Sequence, residues 1–500
     1  MKYVIGVDLG TSAVKVLLVN QHGEIRHSVS KEYPLIQEKS GFSEQNPEEW
    51  VDKTVFALQK LVEKSGISAK DIEGISFSGQ MHGLVLLDDS QNVIRNAILW
   101  NDTRTTEQCH QIENRLGERV FKIAKNPALE GFTLPKLLWV KEYEPEHFQR
   151  ASIFLLPKDY VRYRLTGQLN SEYSDAAGTL LLDVAGKAWS REICEAFDLD
   201  PGICPSLVAS HECVGTILPD IAEQTGLAAS TQVFAGGADN ACGAVGSGIL
   251  SQGETMCSIG TSGVVLSYEQ DRTKDSGGVL HFFNHAEEDA WYAMGVTLGA
   301  GYSLNWFKET FAPDRDFNEL LSGLEDVAIG SKGLLFTPYI AGERTPHADS
   351  DIRGSFIGID GSHREKDFVR AVIEGITFSL NESIEIMRKS GQFIDRVISI
   401  GGGAKNEAWL QIQADVFDTD VVQLENEQGP GMGAAMLAAY GCGWFASLEA
   451  CAEVFVKRKK VIHPIRENVE KYQSLFAIYQ KIYGQTRGIS AELRKLTDFR

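Results

Sequence analysis

Carboxylates that end apolar strands are the residues of this chain best placed to do chemistry. Asp8 follows Val4-Ile5-Gly6-Val7 and leads into Gly10-Thr11-Ser12. A carboxylate buried there is costly without a counter-charge. A hydrated magnesium ion suits it, because Mg2+ takes one or two carboxylates together with phosphate oxygens. The turn beside it offers backbone N–H groups and the Thr11 and Ser12 hydroxyls to a phosphate, and Lys15 adds a positive charge. The plainer alternative is a solvated aspartate beside a tight turn. Asp239 follows Val233-Phe234-Ala235 and Gly236-Gly237-Ala238, where a strand is predicted to give way to a helix. It could cap that helix. It could equally act as a general base, taking the proton of a hydroxyl that attacks a γ-phosphoryl group.

Further segments carry the same kind of chemistry. Gly260-Thr261-Ser262-Gly263 repeats the first turn in the second half of the chain. Gly401-Gly402-Gly403-Ala404-Lys405-Asn406 follows a strand and opens a helix. Its glycines allow close backbone approach, and the helix N-terminus favours a nucleotide or anion; an ordinary strand-to-helix loop is the alternative. The Gly-x-x-x-x-Gly-Lys-Ser/Thr pattern is absent, so this is not a P-loop chain. Gly441-x-Gly443-x-x-Ala446 matches a dinucleotide pattern but lacks a preceding strand. Ser78-Gly79-Gln80-Met81-His82-Gly83 brackets polar and soft side chains with glycines, as a small polar pocket would need, although a lone His82 often serves structure. Trp100 offers a flat apolar face for sugar carbons, with Asp102 and Arg104 available for hydroxyls; a buried tryptophan beside a surface ion pair is the alternative. His281 and His285 have metal-like spacing but flank a strand-like Phe282-Phe283, which argues against a metal site.

These residues need elements to position them. Strands are predicted over Val4–Leu9, Val14–Asn20 and Glu24–Ser30, and again over Ile72–Phe77. Asn46, Pro47 and the acidic pair Glu48-Glu49 announce a helix that Gly66 ends. Leu9-Gly10-Thr11-Ser12-Ala13-Val14 recurs as Ile259-Gly260-Thr261-Ser262-Gly263-Val264, half the chain length away. Two matching hairpins predict two domains of common design around a cleft. The second half alternates a long helix over Asp367–Lys389, strands at Arg396–Ile400 and Val421–Leu424, and helices near Trp409–Phe417 and Gly431–Tyr440. The remainder is charged and reads as helical. The expected boundaries are 1–248, 249–445 and a helical segment at 446–500.

The 500 residues suffice for two large domains. A net charge of −20 disfavours nucleic acid and anionic membranes, both of which reward basic patches. None of the eight cysteines forms a Cys-x-x-Cys pair. Asp8 and Lys15 interrupt the first apolar stretch, so no signal peptide is read and a cytoplasmic protein is expected.

At these motifs the chain resembles the FGGY carbohydrate kinases over nearly its whole length. Asp8-Leu9-Gly10-Thr11-Ser12 and Gly260-Thr261-Ser262 look like the family's two phosphate motifs, and Gly401–Asn406 like its adenosine motif. Gly131-x-Thr133-x-x-Lys136-Leu137-x-Trp139-Val140-x-Glu142 fits a long family pattern apart from its last position, Tyr143. Gly354-x-Phe356-x-Gly358-Ile359 through to Asp367-Phe368-x-x-Ala371-Val372-Ile373-Glu374 fits a second. The resemblance implies an α/β, two-domain actin-like and hexokinase-like (ribonuclease H-like) fold, with duplicated mixed sheets and flanking helices around a central cleft. It implies ATP and Mg2+ as cofactors and a small-molecule sugar as substrate; assembly as a homodimer is compatible with the sequence. Within the family, the loops at 78–83 and 237–240 resemble those of members that phosphorylate D-xylulose at its 5-hydroxyl; glycerol-phosphorylating members carry an Arg-Glu pair in the first. By that likeness Asp239 is the base, and Met81, His82 and Asn240 contact the sugar; the residue types add Trp100 and Asp102 as expected contacts. Thr11, Ser12, Lys15, Gly260, Thr261, Gly401, Gly402, Gly403 and Asn406 would hold ATP, and Asp8 the metal. Kinases of ribulose or deoxyxylulose, and an actin-like ATPase without sugar transfer, are the alternatives.

Overall fold

The computed structural model describes residues 1–427 and 429–496. Its first sheet grows from an apolar meander: β1 (Tyr3–Leu9), β2 (Ala13–Asn20) and β3 (Ile25–Glu32) pair antiparallel in sequence. Helix α1 (Pro47–Ser65) starts where expected, with the Asn46 side chain accepting from the Glu48 N–H and Gly66 closing it at φ +63°. The chain then returns as β4 (Ile72–Gly79), parallel to β1. Further on, β5 (Cys213–Thr216), β6 (Gln232–Phe234) and the short β7 (Gly237–Ala238) complete the sheet, in the order β5-β6-β4-β1-β2-β3 with β7 on the end of β4. Helix α2 (Thr133–Tyr143) packs beside the segment at 78–83, and α3 (Asp239–Gly246) leaves directly from β7.

The second sheet repeats the plan. The hairpin β8 (Gly253–Ile259) and β9 (Gly263–Glu269) is antiparallel, and β10 (His281–Asn284) and β11 (Trp291–Thr297) extend its edge. On the other side β12 (Ile394–Gly401) and β13 (Asp420–Leu424) run parallel to β8. A final strand, β14 (Arg458–Ile462), pairs antiparallel with β13. The region 446–500 is therefore not helical throughout. Its Arg-Lys-Lys-Val-Ile stretch forms a charged edge strand, in keeping with the way sheets protect their edges. Helices α4 (Ala300–Phe311), α5 (Glu365–Lys389), α6 (Glu407–Phe417) and α7 (Pro430–Gly441) flank the strands, and α8 (Leu448–Phe455) and α9 (Arg466–Leu496) close the described chain. Residues 497–500, part of the segment expected to be helical, lie outside the described residues.

The Gly/Ala-rich composition of α7 has a packing reason. This helix belongs to the second half of the sequence yet lies on the first sheet and against α3. A Cβ on Gly6 would fall 2.0 Å from the Gly431 carbonyl, and one on Gly433 would fall 1.8 Å from the Cys242 carbonyl. Only bare backbone fits at these crossings, so the two halves are joined by tight helix–sheet and helix–helix contacts. Among the described residues, no helix is long and apolar enough to cross a membrane.

Candidate active site

Three strand ends in the first sheet bring the expected groups side by side. Asp8 on β1 pairs in register with Ser78 on β4, and Ser78 pairs with Gly237 on β7, two residues before Asp239. Burial pushes the Asp8 carboxyl up to about 6, with Lys15, its register partner on β2, pulling the other way. Asp239 is pushed up to about 7, first by burial and then by the negative charge of Asp8, while the Asn240 N–H opposes the rise. That N–H donates to Asp239 Oδ1 at 2.7 Å, and Asn240 Nδ2 donates to the same oxygen at 3.0 Å. Asp239 is the first residue of α3, and the residue before it, Ala238, is at the cap position. Its carboxylate is thus not used as a helix cap. A chain of buried groups fixes its backbone: Ala238 N–H donates to Ser174 Oγ at 3.0 Å, and Ser174 Oγ donates to Glu172 at 2.9 Å. Lys158 in turn lies 3.3 Å from Glu172.

Burial raises the proton affinity of both carboxyls and Asp8 raises that of Asp239 further, so the site is short of positive charge. The donor set is oxygen, which suits a hard cation such as Mg2+ that keeps water and phosphate ligands. The residues present therefore fit the ion, with Asp8 at the end of β1 as the natural holder.

A cavity of about 240 Å³ opens beside these groups. The first half contributes Met81, His82, Trp100, Phe132, Asp239 and Asn240 to its wall. His82 sits at φ +68°, and its Nδ1 lies 2.6 Å from the Gly178 carbonyl. A carbonyl only accepts, so Nδ1 carries the proton and Nε2 remains an acceptor. Burial pushes the ring's pKa down to about 3, which keeps it neutral. Gly178 is required for this approach, since a Cβ there would meet Nδ1 at 2.7 Å. The unusual backbone of His82 is held by its own carbonyl, which accepts from Thr133 Oγ1 at 3.1 Å and Lys136 Nζ at 2.9 Å. Asn240 Nδ2 reaches Met81 Sδ at 3.6 Å, closing the first-half wall.

Trp100 is 43% exposed, so it is not a core tryptophan, and its Nε1 donates to Thr11 Oγ1 at 2.9 Å. Asp102 is a different matter. It is fully buried, and its carboxylate accepts from the Ser43 N–H at 2.6 Å and from Arg104 Nε and Nη2 at 2.9 and 2.6 Å. The expected sugar contact at Asp102 is corrected: its oxygens are committed to a buried arginine fork that shapes the loop carrying Trp100. The ion pair with Arg104 is a core feature, not a surface one.

The second half supplies a separate cleft of about 490 Å³. Gly260 and Thr261 line it together with Tyr302, Gly402, Gly403 and Asn406. The start of α4 pins the hairpin, with Gly301 N–H on the Gly260 carbonyl at 2.8 Å and Tyr302 N–H on the Thr261 carbonyl at 2.9 Å. Asn406 caps α6 by accepting from the Trp409 N–H at 2.9 Å. Gly401 adopts φ +80° and gives its N–H to Glu427 at 2.6 Å, turning the chain from β12 into the cleft. The next residue of the hairpin, Ser262, lines the other cavity, the one that holds Asp239. The hairpin tip thus stands between the nucleotide-sized cleft and the sugar-sized cavity. Thr11, Ser12 and Lys15 lie on the opposing hairpin. There the Thr11 carbonyl accepts from Gln45 Nε2 at 2.8 Å and the Ser12 carbonyl from the Tyr33 N–H at 3.2 Å.

Sequence reasoning missed the wall that the second half adds to the small cavity: His281, Phe283 and Arg344. The histidine drew notice only for metal-like spacing, and nothing marked Arg344. Lys136 stood in a recognised pattern, but its work on the His82 carbonyl had no local signal.

Comparison with known proteins matches this geometry. The model of the FGGY family of carbohydrate kinases, N-terminal domain, matches residues 3–246, and that of the C-terminal domain matches residues 255–442. The chain is 61% identical to a xylulose kinase of Bacillus subtilis (strain 168), over 99% of each chain. Its fold matches the crystal structure of ligand-bound xylulose kinase from Lactobacillus acidophilus, with a TM-score of 0.93 at 27% identity, covering 99% of this chain and 100% of that one. It matches gluconate kinase from the same organism equally well, with a TM-score of 0.93 at 28% identity over 98% and 99% of the two chains. The chain belongs to the FGGY family of carbohydrate kinases.

Proposed function

We propose that this protein transfers the γ-phosphoryl group of ATP to the 5-hydroxyl of D-xylulose. The observation that carries the reading is the hairpin tip at 260–262, with a nucleotide-sized cleft on one side and the Asp239 cavity on the other. The 61% identity to a xylulose kinase supports the choice of sugar. Residues 1–248 would form the sugar-binding domain and 249–445 the ATP-binding domain.

The sugar enters the small cavity with its 5-hydroxyl at Asp239. The neutral His82 accepts a hydroxyl hydrogen at Nε2, Asn240 contacts a further oxygen, and Trp100 covers the carbon face. Asp239 takes the 5-hydroxyl proton as that oxygen bonds to the γ-phosphorus and the bond to the ADP oxygen breaks. The products are ADP, the sugar 5-phosphate and a proton, first held by Asp239 and then released. Backbone N–H groups and hydroxyls of the two hairpins steady the phosphate chain. Mg2+, held at Asp8, would offset phosphate charge. Positioning in a cavity fed from both halves supplies much of the rate, since fixed reactants need no encounter.

The test is ADP release measured against D-xylulose, D-ribulose and 1-deoxy-D-xylulose, with and without Mg2+. D-Xylulose is expected to give the highest kcat/KM. A panel led by another sugar refutes the substrate choice, and ADP release that no sugar stimulates refutes the kinase reading.

A further inference from the structure

Arg344 is a charged side chain on the wall of the sugar cavity with nothing to bind. It lies in the second half, in the loop between the strands Leu335–Thr337 and Ser355–Ile357, and lines the cavity together with Met81, His82 and Asn240. Its backbone is firmly held. Glu343 accepts from the Arg344 N–H at 2.8 Å and the Leu298 N–H at 3.0 Å, and Thr345 exchanges hydrogen bonds with Val296 at 2.9 and 3.1 Å. Among the described residues, however, no hydrogen bond or ion pair engages its guanidinium. Burial lowers its pKa, offset in part by the charge of Glu130. An arginine stays charged regardless, so its half-buried guanidinium lines the cavity with donors that no described protein group accepts. A desolvated charge in that state is costly, and a ligand acceptor is what relieves it.

Its neighbours say which part of a ligand it meets. His281 is fixed as His82 is: its Nδ1 lies 2.9 Å from Asn126 Oδ1, which leaves Nε2 as an acceptor. Burial, helped by the charge of Arg344, holds both imidazoles neutral. Two acceptors and one strong donor therefore cluster on the side of the cavity where both histidines stand. Asp239 stands instead beside Asn240 and Asp8, at the strand ends of the first sheet. A sugar whose terminal hydroxyl sits at Asp239 would present its far end here.

We infer that Arg344 binds the C2 carbonyl oxygen of the ketose, while His281 and His82 accept from the flanking hydroxyls, so that the second domain reads the end of the sugar remote from phosphoryl transfer. This rests on the sugar-kinase reading above. A carbonyl accepts twice and donates nothing, which suits the planar, donor-only guanidinium. The contact also makes sugar binding depend on both halves meeting.

Arg344→Ala and Arg344→Lys should be assayed with D-xylulose and with D-arabinitol, in which C2 carries a hydroxyl. Arg344→Ala is expected to lower kcat/KM for D-xylulose about 10- to 100-fold, mainly through KM, the range for loss of a charged hydrogen bond. The preference for D-xylulose over D-arabinitol should shrink in the same variant. KM for ATP and sugar-free ATP hydrolysis should stay within about 2-fold of wild type, because only the sugar contact is lost. Added guanidinium ion should restore part of the Arg344→Ala activity, a rescue that a purely structural role would not give. Arg344→Lys, which keeps charge and most of the volume, should fall between and carries the test if the alanine variant folds poorly. An unchanged KM for D-xylulose, or a KM for ATP that rises in step, overturns the inference while leaving the kinase reading intact. A wild type inactive on D-xylulose overturns the reading on which it stands.

Discussion

The two hairpins of this molecule share a backbone plan and differ in charge. In the first, Leu9 pairs with Val14 across the turn; in the second, Ile259 pairs with Gly263, a turn one residue shorter. Each opens an antiparallel meander on one side and is flanked by two parallel strands on the other. Yet the position of Asp8 is filled by Ser258 in the second copy, and where Asp8 has Lys15 as its cross-strand partner Ser258 has Val264. The neighbouring parallel strands diverge in the same way. β4 runs into the loop with His82, and its counterpart β12 runs into the glycines that line the cleft of about 490 Å³. At these matching positions the duplicated scaffold thus presents ionisable side chains from one hairpin and neutral ones from the other. The proposed function places acid–base work where burial perturbs carboxylates, and nucleotide binding where bare backbone can approach.

That contrast can be broken most severely at Asp239, the proposed base. Asp239→Ala should reduce sugar phosphorylation by about 10²- to 10⁴-fold, the usual worth of a general base, while titration with a fluorescent ATP analogue shows nearly unchanged affinity. Near-normal turnover would remove Asp239 from the reaction. Giving the first hairpin the residue of the second comes next. Asp8→Ser should cost roughly 10²-fold in turnover and raise the Mg2+ concentration needed for half activity, since a misplaced metal forfeits several kcal/mol of charge stabilisation. The reference variant Ser258→Ala should remain within about 3-fold of wild type by the same reasoning. Equal losses in both would mean the hairpins are chemically equivalent.

Backbone substitutions probe the other side of the contrast. Gly401→Ala places a Cβ 2.6 Å from the Ile259 carbonyl at φ +80°. Backbone strain of this kind costs about 1–3 kcal/mol, so KM for ATP should rise roughly 10-fold with little change in KM for the sugar. Gly10→Ala meets only the Ala13 carbonyl at 3.2 Å and has no positive φ, so steady-state kinetics should register a much smaller change.

The smallest effect concerns pH. The proposed mechanism requires Asp239 as carboxylate in the free enzyme, and its proton affinity is pushed up to about 7. Sugar kcat/KM should therefore fall as pH drops below about 7. The linked stability has the opposite sign. The unfolded chain releases this proton near the ordinary aspartate value and the folded chain only near 7, so stability decreases as pH rises across that interval. In Asp8→Ser the repelling charge is gone, which should move the acidic limb of the rate profile to lower pH. A limb that stays in place would show that burial alone sets the Asp239 value.

What the sequence determined by itself was local and periodic. Alternating and continuous apolar runs located the strands of both hairpins, Asn46, Pro47 and Gly66 bounded α1 where the structure has it, and the internal echo announced two copies of one design. Asp8 and Asp239 were legible because each carboxylate ends an apolar run, a position set by a few neighbours. Tertiary structure alone decided which distant segments meet. Arg344 and His281 join His82 because the second sheet faces the first across the cleft. Asp102 turns inward because the Arg104 fork and the Ser43 N–H claim its oxygens. The strand Arg458–Ile462 forms because the edge of β13 offers it hydrogen bonds that its charged residues do not advertise. Lys136 acts on a carbonyl 54 positions away. Local propensity and burial period are written in neighbouring residues, whereas these contacts depend on sheet pairing and close packing between residues far apart in the chain.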